Sequence, residues 1–192
     1  YESTLFNDET WSCLQLTNIR ILSLELSTDY RFLSMVPKFE HLWSLNVVIP
    51  TDTYQSQLQA LLDRAPHLYS LSFNLWATST MPPYQYTSTS IHRLNLRGVD
   101  QYRRQHCYNS EQCMELSRSP LAIQCRVLII KVEQLKCIVE LINFMNNLRT
   151  LDVMYEHDTH SNRYDLVELL RKHLPSTWTV TRLRYGNFII QS

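Results

Sequence analysis

A three-point apolar motif recurs along the chain and constrains its fold more than any other feature. The motif places two residues between its first and second apolar positions, and one residue between its second and third. Its seven copies are Ile19, Leu22, Leu24; Leu42, Leu45, Val47; Leu68, Leu71, Phe73; Ile91, Leu94, Leu96; Cys125, Leu128, Ile130; Leu148, Leu151, Val153; and Val180, Leu183, Tyr185. Their first positions are 23, 26, 23, 34, 23 and 32 residues apart. A recurrence at such intervals is typical of repeat architectures.

Each motif predicts a short β-strand. Its last two apolar positions are separated by one residue, so both side chains point to the same face of a strand. The residue between them points to the opposite face. It is polar in six copies and apolar in one: Ser23, Asn46, Ser72, Asn95, Asp152 and Arg184, with Ile129 the exception. Parallel strands lying side by side would place these residues on one shared surface.

Between the strands the apolar period changes to that of a helix. Helices are predicted from Asp52 or Thr53 to before Pro66, from Glu133 to Met145, from about Tyr164 to Leu174, and over a shorter stretch around Phe32 to Val36. We therefore predict an α/β solenoid of about seven short parallel strands on the concave side, with the helices outside.

The pattern resembles leucine-rich repeats, and especially the irregular repeats downstream of the F-box in F-box proteins. The sequence of residues 61–73, LLDRAPHLYSLSF, looks like the helix end, proline and strand start of that group, and residues 146–153, NNLRTLDV, are a second copy without the proline. The similarity covers roughly residues 14–190. The regular consensus has Asn or Cys three residues after the last strand position. This chain has neither there, and residues 1–16 are too short for an F-box.

The resemblance implies a protein–protein interaction module, namely the substrate-recognition repeat region of an F-box-type ubiquitin-ligase subunit. An adaptor of the ligase would then bind through an N-terminal F-box that is missing from this sequence. Such a region carries out no chemistry itself, so we expect the chain not to be an enzyme.

The chain is predicted to form a single domain over residues 1–192. A long loop over about 76–90 and an irregular insertion over about 97–124 interrupt the period, and the insertion carries a short helix from Ser110 to Arg118. The chain begins at Tyr1, without an initiator Met or a signal peptide, so we expect a fragment of a longer protein. Five cysteines leave at least one thiol unpaired, and no Asn-x-Ser/Thr sequon occurs. These features favour a reducing cytoplasmic or nuclear location.

Composition excludes several classes of partner. Eighteen basic and eighteen acidic residues give a formal net charge of zero, whereas non-specific binding of nucleic acids depends on bulk positive charge. Two glycines among 192 residues are too few for the loops that cradle the phosphates of a nucleotide cofactor. No apolar run approaches the roughly 18 residues of a membrane span. We therefore expect no nucleic acid, no cofactor and no membrane contact.

The predicted binding surface is the polar strip on the concave face. Arginines outnumber lysines fourteen to four, and the planar guanidinium suits bidentate recognition of carboxylates. Because the basic residues of the strip lie toward its C-terminal part, we expect it to bind an acidic segment of a protein partner. The residues predicted to bind the partner are Asn46, Ser72, Asn74, Arg93, Asn95, Arg97, Lys131, Asp152, Arg182 and Arg184.

Two other interpretations stay open. The first is an enzyme or metal site in the 97–124 insertion, where His106, Cys107 and Cys113 lie close together in sequence, although no catalytic motif or four-ligand zinc spacing is present. We accordingly predict no catalytic residue and no metal ligand, either there or in the histidine-containing segment 156–160. The second is a repeat region with structural or regulatory contacts inside its parent chain. Aromatic residues in the two long loops, Tyr86 and Tyr108 among them, either anchor an interface or cover the core.

Overall fold

The computed structural model describes residues 18–26, 38–50, 55–76, 85–100, 105–155, 165–182 and 187–192. Within these ranges the strands are β1 (Ile21–Glu25), β2 (Ser44–Ile49), β3 (Ser70–Trp76), β4 (Arg93–Asn95), β5 (Val99–Asp100), β6 (Val127–Val132), β7 (Thr150–Tyr155), β8 (Thr179–Arg182) and β9 (Asn187–Gln191). The helices are α1 (Gln55–Asp63), α2 (Ser110–Arg118), α3 (Pro120–Ile123), α4 (Leu135–Phe144) and α5 (Asp165–His173).

The nine described strands belong to one open, mostly parallel sheet. Eight of them follow the order β1-β2-β3-β4-β6-β7-β9-β8, and β5 pairs with β3 beside β4. Pairing is parallel from β1 through β7 and antiparallel between β7 and β9 and between β9 and β8. The α/β class that the sequence predicts is therefore confirmed.

The C-terminal end differs from the prediction. Of the seventh motif only Val180 lies in β8, because Leu183 and Tyr185 are outside the described residues; β8 runs in the same direction as β7, but β9 lies between the two strands. The length of the connection explains the antiparallel pairing of β8 with β9. Only residues 183–186 separate β8 from β9, and a parallel pairing needs a crossover of about a dozen residues or more.

The predicted concave arrangement is also corrected. The strands do not lie on one concave side, and the sheet is open. A solenoid stacks one parallel strand per unit, and the inserted antiparallel strand β9 breaks that pattern.

One face of the sheet is buried against the helices. Along β2, side chains alternate between partly exposed and buried, as in Asn46 and Val47. The buried strand side chains share one hydrophobic cluster with the apolar side chains of the helices, for example Leu58 of α1, Leu116 of α2 and Leu141 of α4. This cluster extends from Leu26 to Ile190 and forms the core.

The apolar periodicity of the sequence predicted both the positions and the lengths of these helices. The helix predicted from Ser110 to Arg118 has those bounds, and the helix predicted over Glu133 to Met145 is observed as Leu135–Phe144. The stretch around Phe32 to Val36 lies outside the described residues.

The 97–124 insertion contributes to the core. Its side chains Tyr108, Cys113, Leu116 and Leu121 are all buried in the hydrophobic cluster. Tyr86 is buried there too, so the loop aromatics Tyr86 and Tyr108 cover the core.

Candidate functional site

The candidate site is the face of the sheet that points away from the helices, here called the open face. The strand register aligns the middle residues of the first six motifs in one row, which continues onto β9 and β8. The row runs Ser23, Asn46, Ser72, Asn95, Ile129, Asp152, Ile189 and Thr181. The sequence predicted this row from β1 to β7; its predicted member from the seventh motif, Arg184, lies outside the described residues, and Ile189 and Thr181 continue the row instead.

A second row lies two strand positions earlier on the same face. It contains Arg93 of β4, whose side chain is exposed, and it runs Ile21, Ser44, Ser70, Arg93, Val127, Thr150, Gln191 and Thr179. Over β1–β4 the two rows are mainly serine and asparagine, with Ile21 and Arg93 as exceptions, and over β6–β9 they mix polar residues with Val127, Ile129 and Ile189.

An ion pair crosses the centre of the open face. The Nη2 atom of Arg97 lies 2.6 Å from Oδ1 of Asp152, and the two side chains are 18% and 27% exposed. The Nε atom of Arg97 also donates to the backbone carbonyl of Ile130 at 3.3 Å. Arg97 follows β4 and Asp152 lies on β7, so the guanidinium spans the intervening strand β6. Arg97 and Asp152, both predicted to bind a partner, are thus bonded to each other.

Two asparagine side chains, those of Asn46 and Asn95, form hydrogen bonds to neighbouring groups on the open face. Asn46 donates through Nδ2 to the hydroxyl of Ser23 on the neighbouring strand at 3.1 Å. Asn95 accepts a hydrogen bond through Oδ1 from the backbone N–H of Arg97 at 3.1 Å. The second bond holds the chain after β4 in the position from which Arg97 reaches Asp152.

The remaining predicted binding residues lie in different environments. Ser72 is buried between its neighbours, and Asn74 is exposed where the register between β2 and β3 shifts. Lys131 is half-buried on β6. Arg182 ends β8, and Arg184 lies outside the described residues.

Sequence reasoning missed a second surface at the starts of the strands. The residues directly after the first apolar position of the first six motifs form a column, here called the strand-start column. Its members are Arg20, Trp43, Tyr69, His92, Arg126 and Arg149. The Trp43 and Tyr69 rings stack with centroids 4.4 Å apart and planes 9° apart, and the Tyr69 and His92 rings stack at 5.8 Å and 11°. Reading that motif position down the repeats would have revealed the column.

The cysteines of the insertion and of α4 are mostly buried. Cys113, Cys125 and Cys137 are buried thiols, and Cys107 is partly exposed. A hydrogen bond between the side chains of Cys113 and Cys137, with burial adding to it, raises the pKa of Cys113, and the same bond lowers the pKa of Cys137. Burial raises the pKa of Cys125 to about 12.

The structure does not gather these thiols into a metal centre. Among the described residues, no group of three or more His, Cys, Asp or Glu side chains is placed to hold a metal ion. The segment 156–160, the other histidine cluster considered from sequence, lies outside the described residues.

A shallow apolar groove of about 300 Å³ lies between α4 and α5. Leu135 and Val139 line it from α4, Leu169 and Leu170 from α5. Lys136 and His173 line it as well.

Comparison with known proteins does not assign the chain to a family. No family model matches it, and no curated protein matches it significantly. In the part of the chain that the structure describes, no helix has both the length and the apolar character of a membrane span.

Proposed function

We propose that the chain is a protein-interaction module whose open face binds a segment of a protein partner. The observation that carries this proposal is the continuous row of aligned side chains, from Ser23 on β1 to Thr181 on β8. A rigid sheet presents such a row with little loss of conformational entropy on binding. Arg93 supplies an exposed cation on this face, where an acidic side chain of the partner would bind.

The ion pair between Arg97 and Asp152 determines which variants can test this proposal. Charge reversal at Arg97 would break its ion pair with Asp152 and would confuse a structural effect with a binding effect. Arg93→Glu and Asn46→Arg alter the open face without removing that pair. A matched control is Arg118→Glu, an exposed position on α2.

The experiment is affinity purification of the tagged parent protein, with quantitative mass spectrometry of wild type and the three variants. A partner that binds to wild type and to the Arg118→Glu variant but is lost from both open-face variants supports the proposal. Retention of every partner by both open-face variants contradicts it. A cooperative thermal unfolding transition shows that each variant is folded.

Within this class we propose the role of substrate recognition for an F-box-type ubiquitin ligase. Its support is the resemblance of residues 61–73 and 146–153 to leucine-rich repeat units, whose strand starts are β3 and β7 in the structure. The same support favours a leucine-rich-repeat-like organisation of the units from β1 to β7, and a cytoplasmic or nuclear location. Cullin and the F-box-binding adaptor should co-purify with the parent protein; their absence beside other reproducible partners would remove the ligase role alone.

A further inference from the structure

The strand-start column is held by a repeated backbone pattern. The carbonyl of Trp43 accepts hydrogen bonds from the N–H groups of Tyr69 and Ser70, at 2.9 and 3.0 Å. The carbonyls of Arg20, Tyr69, His92 and Arg126 each accept two N–H groups from the start of the next strand in the same way. Because both bonds recur at every step, the six side chains of the column start from equivalent positions along one edge of the sheet.

The side chains of the column combine flat rings with positive charge. Trp43, Tyr69 and His92 form a continuous stack, and Trp43 is 55% exposed. Arginines flank the stack, with Arg20 before it and Arg126 and Arg149 after it, and all three are exposed. No carboxylate belongs to the column.

The rings and the arginines favour the same kind of ligand. An aromatic ring carries negative potential on its faces and positive potential at its edge. Stacking covers ring faces and directs edges outward, so the middle of the column presents the edges that attract an anion. Guanidinium groups bind carboxylates through charge-assisted hydrogen bonds.

The length of the column fits an extended peptide. Neighbouring strands lie about 4.8 Å apart, so the five steps from Arg20 to Arg149 span about 24 Å. An extended chain advances about 3.3 Å per residue, so about seven residues of a peptide cover that distance.

We propose that the strand-start column binds an extended acidic peptide segment of a protein partner. The inference rests on the proposed interaction function and places the acidic contacts on this edge of the sheet. On the open face, by contrast, the Arg97 guanidinium is already bonded to Asp152.

Single-stranded nucleic acid fits the same charges less well. Proteins bind it by stacking bases on exposed aromatic faces, but both faces of Tyr69 adjoin other rings, Trp43 on one side and His92 on the other. The zero net charge of the chain also provides no bulk attraction for a polyanion.

The test is fluorescence anisotropy with a labelled eight-residue peptide of alternating Glu and Leu. The matched peptide has Gln at every Glu position, and a labelled oligo(dT) of eight nucleotides is the competing probe. We expect the Glu peptide to bind, the Gln peptide to bind at least about tenfold more weakly, and added salt to weaken the binding of the Glu peptide.

Two pairs of charge-reversal variants test whether the peptide binds at the strand-start column. Arg126→Glu with Arg149→Glu should weaken Glu-peptide binding at least about tenfold, because two charge-assisted contacts become repulsive. Arg118→Glu with Arg171→Glu is the matched control, since both arginines are exposed but lie on α2 and α5. Equal binding of the two peptides, equal effects of the two variant pairs, or tighter binding of oligo(dT) would overturn the proposal.

The open-face variants Arg93→Glu and Asn46→Arg separate the two proposals, because they should weaken Glu-peptide binding much less than Arg126→Glu with Arg149→Glu does. If the open-face variants lose a cellular partner while the column variants bind it normally, the column proposal fails and the interaction function stands. If neither set of variants affects any partner, the interaction function fails.

Discussion

Arg97 and Asp152 show how much a side chain's role depends on residues far away in sequence. The two are 55 positions apart, and their pairing requires that β6 lie between β4 and β7. Partial burial removes part of the solvent that would otherwise screen the charges, so the pair should contribute more than a typical surface ion pair.

A double-mutant cycle measures that contribution. We expect Arg97→Gln and Asp152→Asn to show a coupling free energy of about 1 kcal/mol in urea unfolding. The reference is Lys136 and Glu140, an i,i+4 pair on α4 whose lysine is 70% exposed and whose glutamate is 12% exposed. That pair should couple by only about 0.3 to 0.5 kcal/mol. Equal coupling in the two cycles would show that position on the open face adds nothing.

Thiol reactivity is a second prediction at the residue scale. At pH 8, iodoacetamide should modify Cys107 in the native protein before Cys113, Cys125 and Cys137, because these three are buried. The raised pKa of Cys125, about 12, also keeps its thiol protonated at that pH. Mass spectrometry of the modified peptides measures the order, and modification of Cys125 as fast as Cys107 would contradict it.

The raised pKa of Cys125 also has a consequence for stability. Between pH 9 and 12 the unfolded state loses this proton before the folded state does, so the stabilising contribution is complete below pH 9 and is lost as pH rises toward 12.

Helix capping determines the stability of individual elements. Asn109 caps α2 through a reciprocal pair of hydrogen bonds: its Oδ1 accepts from the N–H of Gln112 at 2.9 Å, and its own N–H donates to Oε1 of Gln112 at 3.1 Å. At the start of α4, Gln134 holds the same N-cap position without a side-chain capping bond.

Substitutions at these two N-caps should change the free energy of unfolding in opposite directions. Asn109→Ala should lower the free energy of unfolding by about 1 kcal/mol, because a backbone N–H loses its acceptor. Gln134→Asp should raise it by about 0.5 to 1 kcal/mol, because aspartate accepts that bond and its charge complements the helix dipole. Thermal and urea unfolding measure both, and effects of the same sign would contradict the capping argument.

The local sequence pattern predicted most of the helices and strands, but it did not predict which strands pair. The bounds of α2 were predicted from sequence, and in the structure the residues that cap it, Asn109 and Ser119, are its immediate neighbours in the chain. Strand β9 was missed, since its alternating Phe188 and Ile190 lack the third motif position and its pairing with β7 depends on tertiary contacts. For the site, the row of middle motif residues was predicted, whereas the Arg97 ion pair was not, because it joins strands that are distant in sequence.

The hydrophobic cluster includes side chains from the 97–124 insertion and from the segments before and after it. In the sequence this segment interrupts the repeat period, but four of its side chains lie in the core: Tyr108, Cys113, Leu116 and Leu121. Removing a buried leucine to Ala costs about 2 to 5 kcal/mol, and whole domains are stable by only about 5 to 15 kcal/mol.

We therefore predict that replacing residues 97–124 by a short turn abolishes cooperative folding. The measurement is near-ultraviolet circular dichroism during thermal unfolding. The control is Glu111→Ala with Glu115→Ala, two exposed positions on α2, which should change the transition little. A replacement variant that keeps a cooperative transition would show that the insertion is an appendage.

The hydrogen bond that the carbonyl of Arg149 accepts determines where the protein could be lengthened by design. Earlier carbonyls of the column accept N–H groups from the next parallel strand, but that of Arg149 accepts the N–H of Ser192, which follows β9. The antiparallel strand thus occupies the place where another parallel unit would dock, much as a terminal cap ends an array of repeats. An engineer could add a duplicated unit between β6 and β7, where the interlocking backbone groups recur, whereas a unit added beyond β7 would have to displace β9.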